Sequence, residues 1–299
     1  MFSSTAPDAS PHVLLEVDVA PNAARLGRVE HVSTELGSPA GTRDRPWLRR
    51  VRRALREQLF VLHFQPIVAV GDRRVSHHEA LLRLADASDG RLIAPGRFLP
   101  AAERYGLVRE IDRMVIDEVV ALLAREQSNP NEESHAPARI AVNVSALSAT
   151  DVSMLAYLDS RLEWHGVEPS RLVIELTETA AISDMDSAKT FCAGVLALGC
   201  ELALDDFGAG FGSFQYLKHL PFSYLKIDGD FIRRLPVSRT DQLVVRALAG
   251  VVRGMGAHTI AEFVGDETTI AMLRSYGVDY AQGFAVGRPQ PTLLASYPG

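Results

Sequence analysis

At 299 residues with 47% apolar side chains, the chain is long enough for one large domain with a well-buried core. Thirty-seven acidic residues against 31 basic ones leave a net charge of −6, which excludes a general electrostatic attraction for nucleic acid or an anionic membrane. Two cysteines, Cys192 and Cys200, are too few for a disulfide framework and too far apart for a CxxC motif, so they read as core thiols of a reducing compartment.

Residues 1–45 are rich in Ser, Ala, Pro and Gly and read as a flexible leader, in which Val13–Val19 is a strand candidate with no neighbour to pair with. Residues 46–299 form the main domain. Met1–Ser10 lacks the basic segment and apolar run of a signal peptide, and Arg246 and Arg253 interrupt Leu243–Met255, the best candidate for a membrane span. A cytoplasmic protein is expected. From Trp47, the residues Trp47, Leu48, Val51, Leu55 and Leu59 fall at helical spacing with five arginines between them, the pattern of an amphipathic helix with a solvated basic face.

Short β-branched, apolar runs follow: Phe60–Val68, Val75–Leu84, Ile140–Val144, Leu172–Leu176, Glu201–Leu204, Tyr224–Ile227, Thr259–Phe263 and Tyr280–Val286. Helical patterns separate most of them, over Pro100–Arg125, Asp151–His165, Asp184–Leu198, Phe214–His219, Asp241–Met255 and Glu267–Tyr276. This alternation predicts a TIM-type (β/α)8 barrel of the α/β class. The connection Val70–Arg74 is too short for a crossover helix, so the first strand is expected antiparallel to the second.

Polar residues sit where these strands end. Glu79, Asn143, Glu175, Asp205 with Asp206, Lys226 with Asp228, and Glu262 each lie at or near a carboxyl end, and Gln282 comes early in the last strand. In a barrel those ends converge on one mouth, where catalytic groups of this architecture gather. One acid there is ordinarily a solvated loop residue. A series of acids would repel one another or take up protons, so it favours bound cations. The donors are oxygens, which suits Mg²⁺ or Mn²⁺ better than structural zinc, and metal-assisted phosphoryl chemistry needs such a set. Of His77 and His78, alternation lets only one share a face with Glu79, and neither is expected to bind metal.

These residues fall into an ordered series that resembles the EAL domain family of cyclic di-GMP phosphodiesterases. The series runs Phe64-Gln65-Pro66-Ile67, Glu79-Ala80-Leu81-Leu82-Arg83, Asn143-Val144-Ser145, Glu175-Leu176-Thr177-Glu178, Asp205-Asp206-Phe207-Gly208, Lys226-Ile227-Asp228, Ala261-Glu262 and Ala281-Gln282-Gly283-Phe284. The resemblance implies two ions per site, Mg²⁺ or Mn²⁺. Glu79, Asn143, Glu175, Asp205 and Glu262 would hold the first, and Asp205 would bridge to a second held mainly by Asp206. It implies that Lys226 holds or deprotonates the attacking water with Asp228 orienting it, and that Gln65, Leu82, Arg83 and Gln282 grip cyclic di-GMP. Glu178 would anchor the loop after Phe207, and a homodimer would be the working form.

Three positions depart from that family's usual pattern: Leu84 stands for Trp, Phe263 for Gly and Gly265 for Glu. In a strand, Phe263 would point away from the face of Glu262, into the layer between barrel and helices; if the strand ends at Glu262, it would instead crowd the mouth and tilt that carboxylate. The resemblance implies hydrolysis of cyclic di-GMP to the linear dinucleotide pGpG. The alternative is a catalytically weak domain that acts as a cyclic di-GMP receptor.

Overall fold

The computed structural model describes residues 41–127, 138–208 and 217–293. Leader residues 1–40 with the strand candidate, and half of the helix expected over Phe214–His219, lie outside these residues.

Helix α1 (Gly41–Glu57) starts before Trp47 and crosses the expected boundary at residue 45. It buries Val51 and Ala54 while Arg49, Arg50, Arg52, Arg53 and Arg56 stay exposed, as the spacing requires. Gln58 adopts a φ of 54°, and Leu59 N–H donates back to the Ala54 carbonyl at 3.0 Å, which closes the helix and turns the chain into the first strand.

Strands β1 (Phe60–Ala69) and β2 (Val75–Ala85) form the antiparallel hairpin, and β3 (Leu92–Ile93) adds a short edge to β2. Then come α2 (Leu99–Arg104), α3 (Val108–Gln127), β4 (Ile140–Asn143), α4 (Ala146–Ala149), α5 (Met154–His165) and β5 (Leu172–Thr177). They are followed by α6 (Glu178–Ser183), α7 (Met185–Ala197), β6 (Glu201–Phe207), β7 (Tyr224–Ile227), α8 (Gly229–Arg233) and α9 (Arg239–Gly254). Strand β8 (His258–Ala261), α10 (Glu267–Tyr276) and β9 (Tyr280–Gln282) complete the series. The sheet runs β1-β9-β8-β7-β6-β5-β4-β2-β3, and the pairing of β1 with β2 closes eight strands into a barrel. β1 is antiparallel to β9 as well as to β2, whereas β2 and β4 to β9 run parallel to their neighbours.

Three expected elements change in extent. The single helix predicted over Pro100–Arg125 is two, because Gly106 takes a φ of 72° between α2 and α3. β9 stops at Gln282, where Gly283 takes a φ of 150°; a Cβ there would run into the backbone of Val264. β8 ends at Ala261, one residue before Glu262.

Alternation along the strands sorts the core into two layers. Val142, Ile174, Leu204 and Leu225 belong to the large apolar cluster that the helices share with the barrel. Ile67, Ala141, Val173, Ala203, Tyr224 and Ile260 form a separate, fully buried plug in the lumen. Period-two geometry puts the residue two places further along β4 to β8 on that same inner face, one layer nearer the mouth. Those residues are Asn143, Glu175, Asp205, Lys226 and Glu262, so the apolar plug is the floor of the polar mouth.

Candidate active site

Lys226 lies at the centre of the mouth and is 1% exposed. Its Nζ is 3.0 Å from Glu175 Oε2, Asp205 Oδ1 and Glu262 Oε1, and 3.3 Å from Glu79 Oε2. Burial disfavours its ammonium, yet the pull of Asp205, Glu175, Glu262 and Glu79 outweighs that and holds it well above the usual lysine range.

The carboxylates are not equivalent. Burial alone would raise Glu79, but Lys226 and the donated hydrogen bonds of Gln282 (Nε2 to Oε2, 2.6 Å) and Asn143 (Nδ2 to Oε1, 2.7 Å) bring it below its ordinary value. Burial, reinforced by Glu79 and Asp205 against the opposing pull of Lys226, holds Glu175 well above its ordinary range. Burial likewise pushes Glu262 up to about 8 and Asp206 up to about 6, each with Asp205 adding to the rise. Among the described residues, none donates a hydrogen bond to the buried Glu175 Oε1.

Consecutive residues of a strand ordinarily face opposite ways, and Asp205 and Asp206 escape that rule through a bulge. Against β7 the register moves three residues along β6, Leu204 to Phe207, for two along β7, Leu225 to Ile227. Asp206 takes a φ of 56°, and its N–H donates to Asp205 Oδ1 at 2.9 Å. One carboxylate oxygen from each of Asp205, Asp206 and Glu262 falls within 4.8 Å of the others.

Gln65 pairs with Glu79 across the hairpin, donates to the Gly287 carbonyl at 3.0 Å and accepts from Gln282 Nε2 at 3.3 Å, so both glutamines line the mouth beside Glu79. Arg83 is half-buried further along β2 and donates to the Leu82 carbonyl at 2.8 Å, while the Leu82 side chain packs against the outer apolar cluster. Glu178 Oε2 accepts the Gly208 N–H at 2.7 Å, at the start of the loop that follows β6.

Asp228, expected to orient Lys226, also caps α8, and its charge adds to the rise at Asp206. Its Oδ1 accepts the Asp230 N–H at 2.7 Å. Phe263 departs from expectation. Because β8 has ended, Phe263 adopts a φ of 52° and is 52% exposed, so it does not enter the layer beneath the helices. Glu262 nevertheless keeps its contact with Lys226. His77 shares the inner face with Glu79, but it lies one layer below, donates or accepts with Ser76 Oγ at 3.1 Å and packs on Tyr224; burial holds its imidazole down to about 3.

One contributor escaped the reading of the sequence. Asp112, on the buried face of α3, accepts Ser145 N–H at 3.0 Å and Ser145 Oγ–H at 2.6 Å, and so fixes the turn that follows Asn143. An acid on the apolar face of an amphipathic helix was its only signal.

The sequence pattern of the EAL domain matches residues 48–289. The chain belongs to the EAL domain family. This EAL domain is 37% identical over 252 residues to "Cyclic di-GMP phosphodiesterase PdeB" of Shewanella oneidensis, covering 84% of the present chain and 28% of that protein. It is 38% identical over 251 residues to "Bifunctional diguanylate cyclase/cyclic di-GMP phosphodiesterase MucR" of Pseudomonas aeruginosa, covering 83% of the present chain and 36% of that one. The chain thus spans about a third of the length of these relatives. Among solved structures it resembles the MucR phosphodiesterase in complex with c-di-GMP, with a TM-score of 0.76 and 36% identity over 83% of this chain and 98% of that one. The EAL domain of FimX from P. aeruginosa bound to c-di-GMP gives a TM-score of 0.76 at 29% identity, over 84% of this chain and 98% of that one. Among the described residues, no helix of this EAL domain is long and apolar enough to cross a membrane.

Proposed function

We propose that this EAL domain is a Mg²⁺- or Mn²⁺-dependent phosphodiesterase that hydrolyses cyclic di-GMP to pGpG. The observation that carries the reading is the set of four buried carboxylates around one buried lysine, with Asp206 brought alongside by the β6 bulge.

The residues fit divalent cations. Five carboxylates face one ammonium, the donors are oxygens, and Glu175 Oε1 is a buried acceptor without a partner among the described residues. Burial first, and repulsion among the acids second, raise the proton affinities of Glu175, Asp206 and Glu262, and a bound cation would offset both. Glu79, Asn143, Glu175, Asp205 and Glu262 would hold one ion, and Asp205 with Asp206 a second. Bound there, such ions supply a more acidic water and neutralise charge on phosphate oxygens.

The protein's own groups do the rest. With cations bound, Lys226 Nζ would hold its proton less tightly and would be placed to hold the attacking water or accept a proton from it. Water oxygen bonds to phosphorus, the bond from phosphorus to the ribose 3′ oxygen breaks, and that oxygen leaves with the proton given up by the water. Arg83, whose fork suits a phosphate oxygen pair, and the glutamines Gln65 and Gln282 hold the nucleotide in line. A homodimer in a cytoplasmic setting completes the reading.

Purified protein incubated with cyclic di-GMP and Mg²⁺ or Mn²⁺, followed by chromatography for pGpG, tests it. Product formation supports the phosphodiesterase. Saturable binding without product selects the receptor, and neither binding nor product sinks both.

A further inference from the structure

Phe263 stands beside Glu262 in a backbone conformation that an aromatic residue adopts only under constraint, and its surroundings supply that constraint. On one side is Gly229, the first residue of α8: a Cβ placed there would lie 2.8 Å from Phe263 Cγ and 3.0 Å from its Cβ. Over the ring lies the Arg233 guanidinium, 4.0 Å from the ring centroid, and Arg233 is itself paired with Asp230 at 2.7 Å. On either side along the chain, Glu262 N–H donates to the Ile227 carbonyl at 3.2 Å and Val264 N–H to the Gln282 carbonyl at 2.9 Å. Glycine would take this φ at no steric cost, and alanine would suit the first turn of α8 better than glycine does. Both positions therefore hold the residue that is locally worse, and each explains the other.

We infer that Phe263 is a positioning residue: its ring, seated in the slot left by Gly229 and covered by Arg233, pins the end of β8 to the start of α8. The pin fixes Glu262, which follows β8, against Lys226, which sits in β7 two residues before Asp228 caps α8. The kinetic part of this inference rests on the proposed phosphodiesterase reading; the structural part does not.

A double-mutant cycle tests it, with Gly229→Ala, Phe263→Gly, the pair together, and the conservative Phe263→Tyr. In metal-free protein, Gly229→Ala alone should lower the Tm by several degrees, and the same change in the Phe263→Gly background should leave it unchanged or raised, a coupling of at least about 3 °C. Should Gly229→Ala fail to fold, recovery of folding in the pair demonstrates the same coupling. With cyclic di-GMP as substrate, Phe263→Gly should lower kcat by about tenfold or more while KM stays within about twofold, and Phe263→Tyr should restore kcat. Additive effects on Tm, or a pair that stays unfolded, overturn the slot. A coupled Tm with kcat unchanged in Phe263→Gly overturns the positioning role. If the parent makes no pGpG, the phosphodiesterase reading fails while the Tm cycle still tests the pin.

Discussion

Replacing Lys226 by Met removes the one ammonium that four buried carboxylates share, at 3.0 to 3.3 Å. In metal-free protein this leaves the acids without a counter-charge, and breaking such a buried set by deleting one partner costs about 3–5 kcal/mol. For a chain of this size, at about 2 °C per kcal/mol, the Tm should fall by about 6–10 °C. The acids can escape only by taking up protons, so the loss should be smaller at acidic than at alkaline pH. A divalent cation restores positive charge at the same place and should recover most of the lost Tm. Calorimetry of parent and variant, with chelator and with saturating Mg²⁺, reads both effects. An equal depression with and without the cation would refute the idea that lysine and metal serve the same carboxylates, and no depression in chelator would refute the cost assigned to the unpaired buried charges. Turnover should fall far more than affinity for cyclic di-GMP, since the lysine acts on water.

Glu79→Ala or Asp205→Ala should abolish pGpG formation, with excess Mg²⁺ giving no rescue; near-normal turnover in either removes the metal assignment. Metal-stripped parent protein should lose stability as pH rises. Asp206 and Glu262 have folded pKa values raised to about 6 and about 8, so their contribution is complete below the unfolded carboxylate range near 4 and disappears through those values. Urea melts across that window check the sign, and saturating Mg²⁺ should flatten the slope. Glu178→Ala removes the acceptor of the Gly208 N–H, 2.7 Å away, and should cost about 1–3 kcal/mol in urea denaturation and weaken Mg²⁺ binding by calorimetric titration. Deleting residues 1–39 should leave a folded domain with parental turnover, because residues 40–299 form a compact unit by themselves.

The acids of the mouth were legible because each lies at or near the carboxyl end of a predicted strand. That Asn143, Glu175 and Asp205 stand one layer above Ala141, Val173 and Ala203 follows from alternation once the strands are fixed. What escaped depends on single backbone residues whose conformation tertiary contacts dictate. Nothing in Leu204-Asp205-Asp206-Phe207 announces the extra residue that lets two consecutive aspartates face one way; it is visible only once β7 fixes the register. Phe263 looked like a strand residue because it is aromatic, and its true conformation depends on Gly229, 34 positions earlier in the sequence. The cap that Asp228 Oδ1 makes on the Asp230 N–H also went unread, while its charge reaches Asp206 in the mouth.

The reversal of β1 decides where the chain enters the barrel. In an all-parallel barrel the first strand starts at the floor, on the far side from the chemistry. Here Phe60 pairs with Leu84, five residues beyond Glu79 on β2, so the incoming chain arrives at the rim and descends toward the Val70–Arg74 turn. α1, about 25 Å long for its 17 residues, is joined to that rim through Gln58 and Leu59. Anything joined to the chain ahead of α1 would therefore be tethered at the rim that carries the candidate site. A push or twist on that tether would reach Gln65 along a single strand, without crossing the barrel wall.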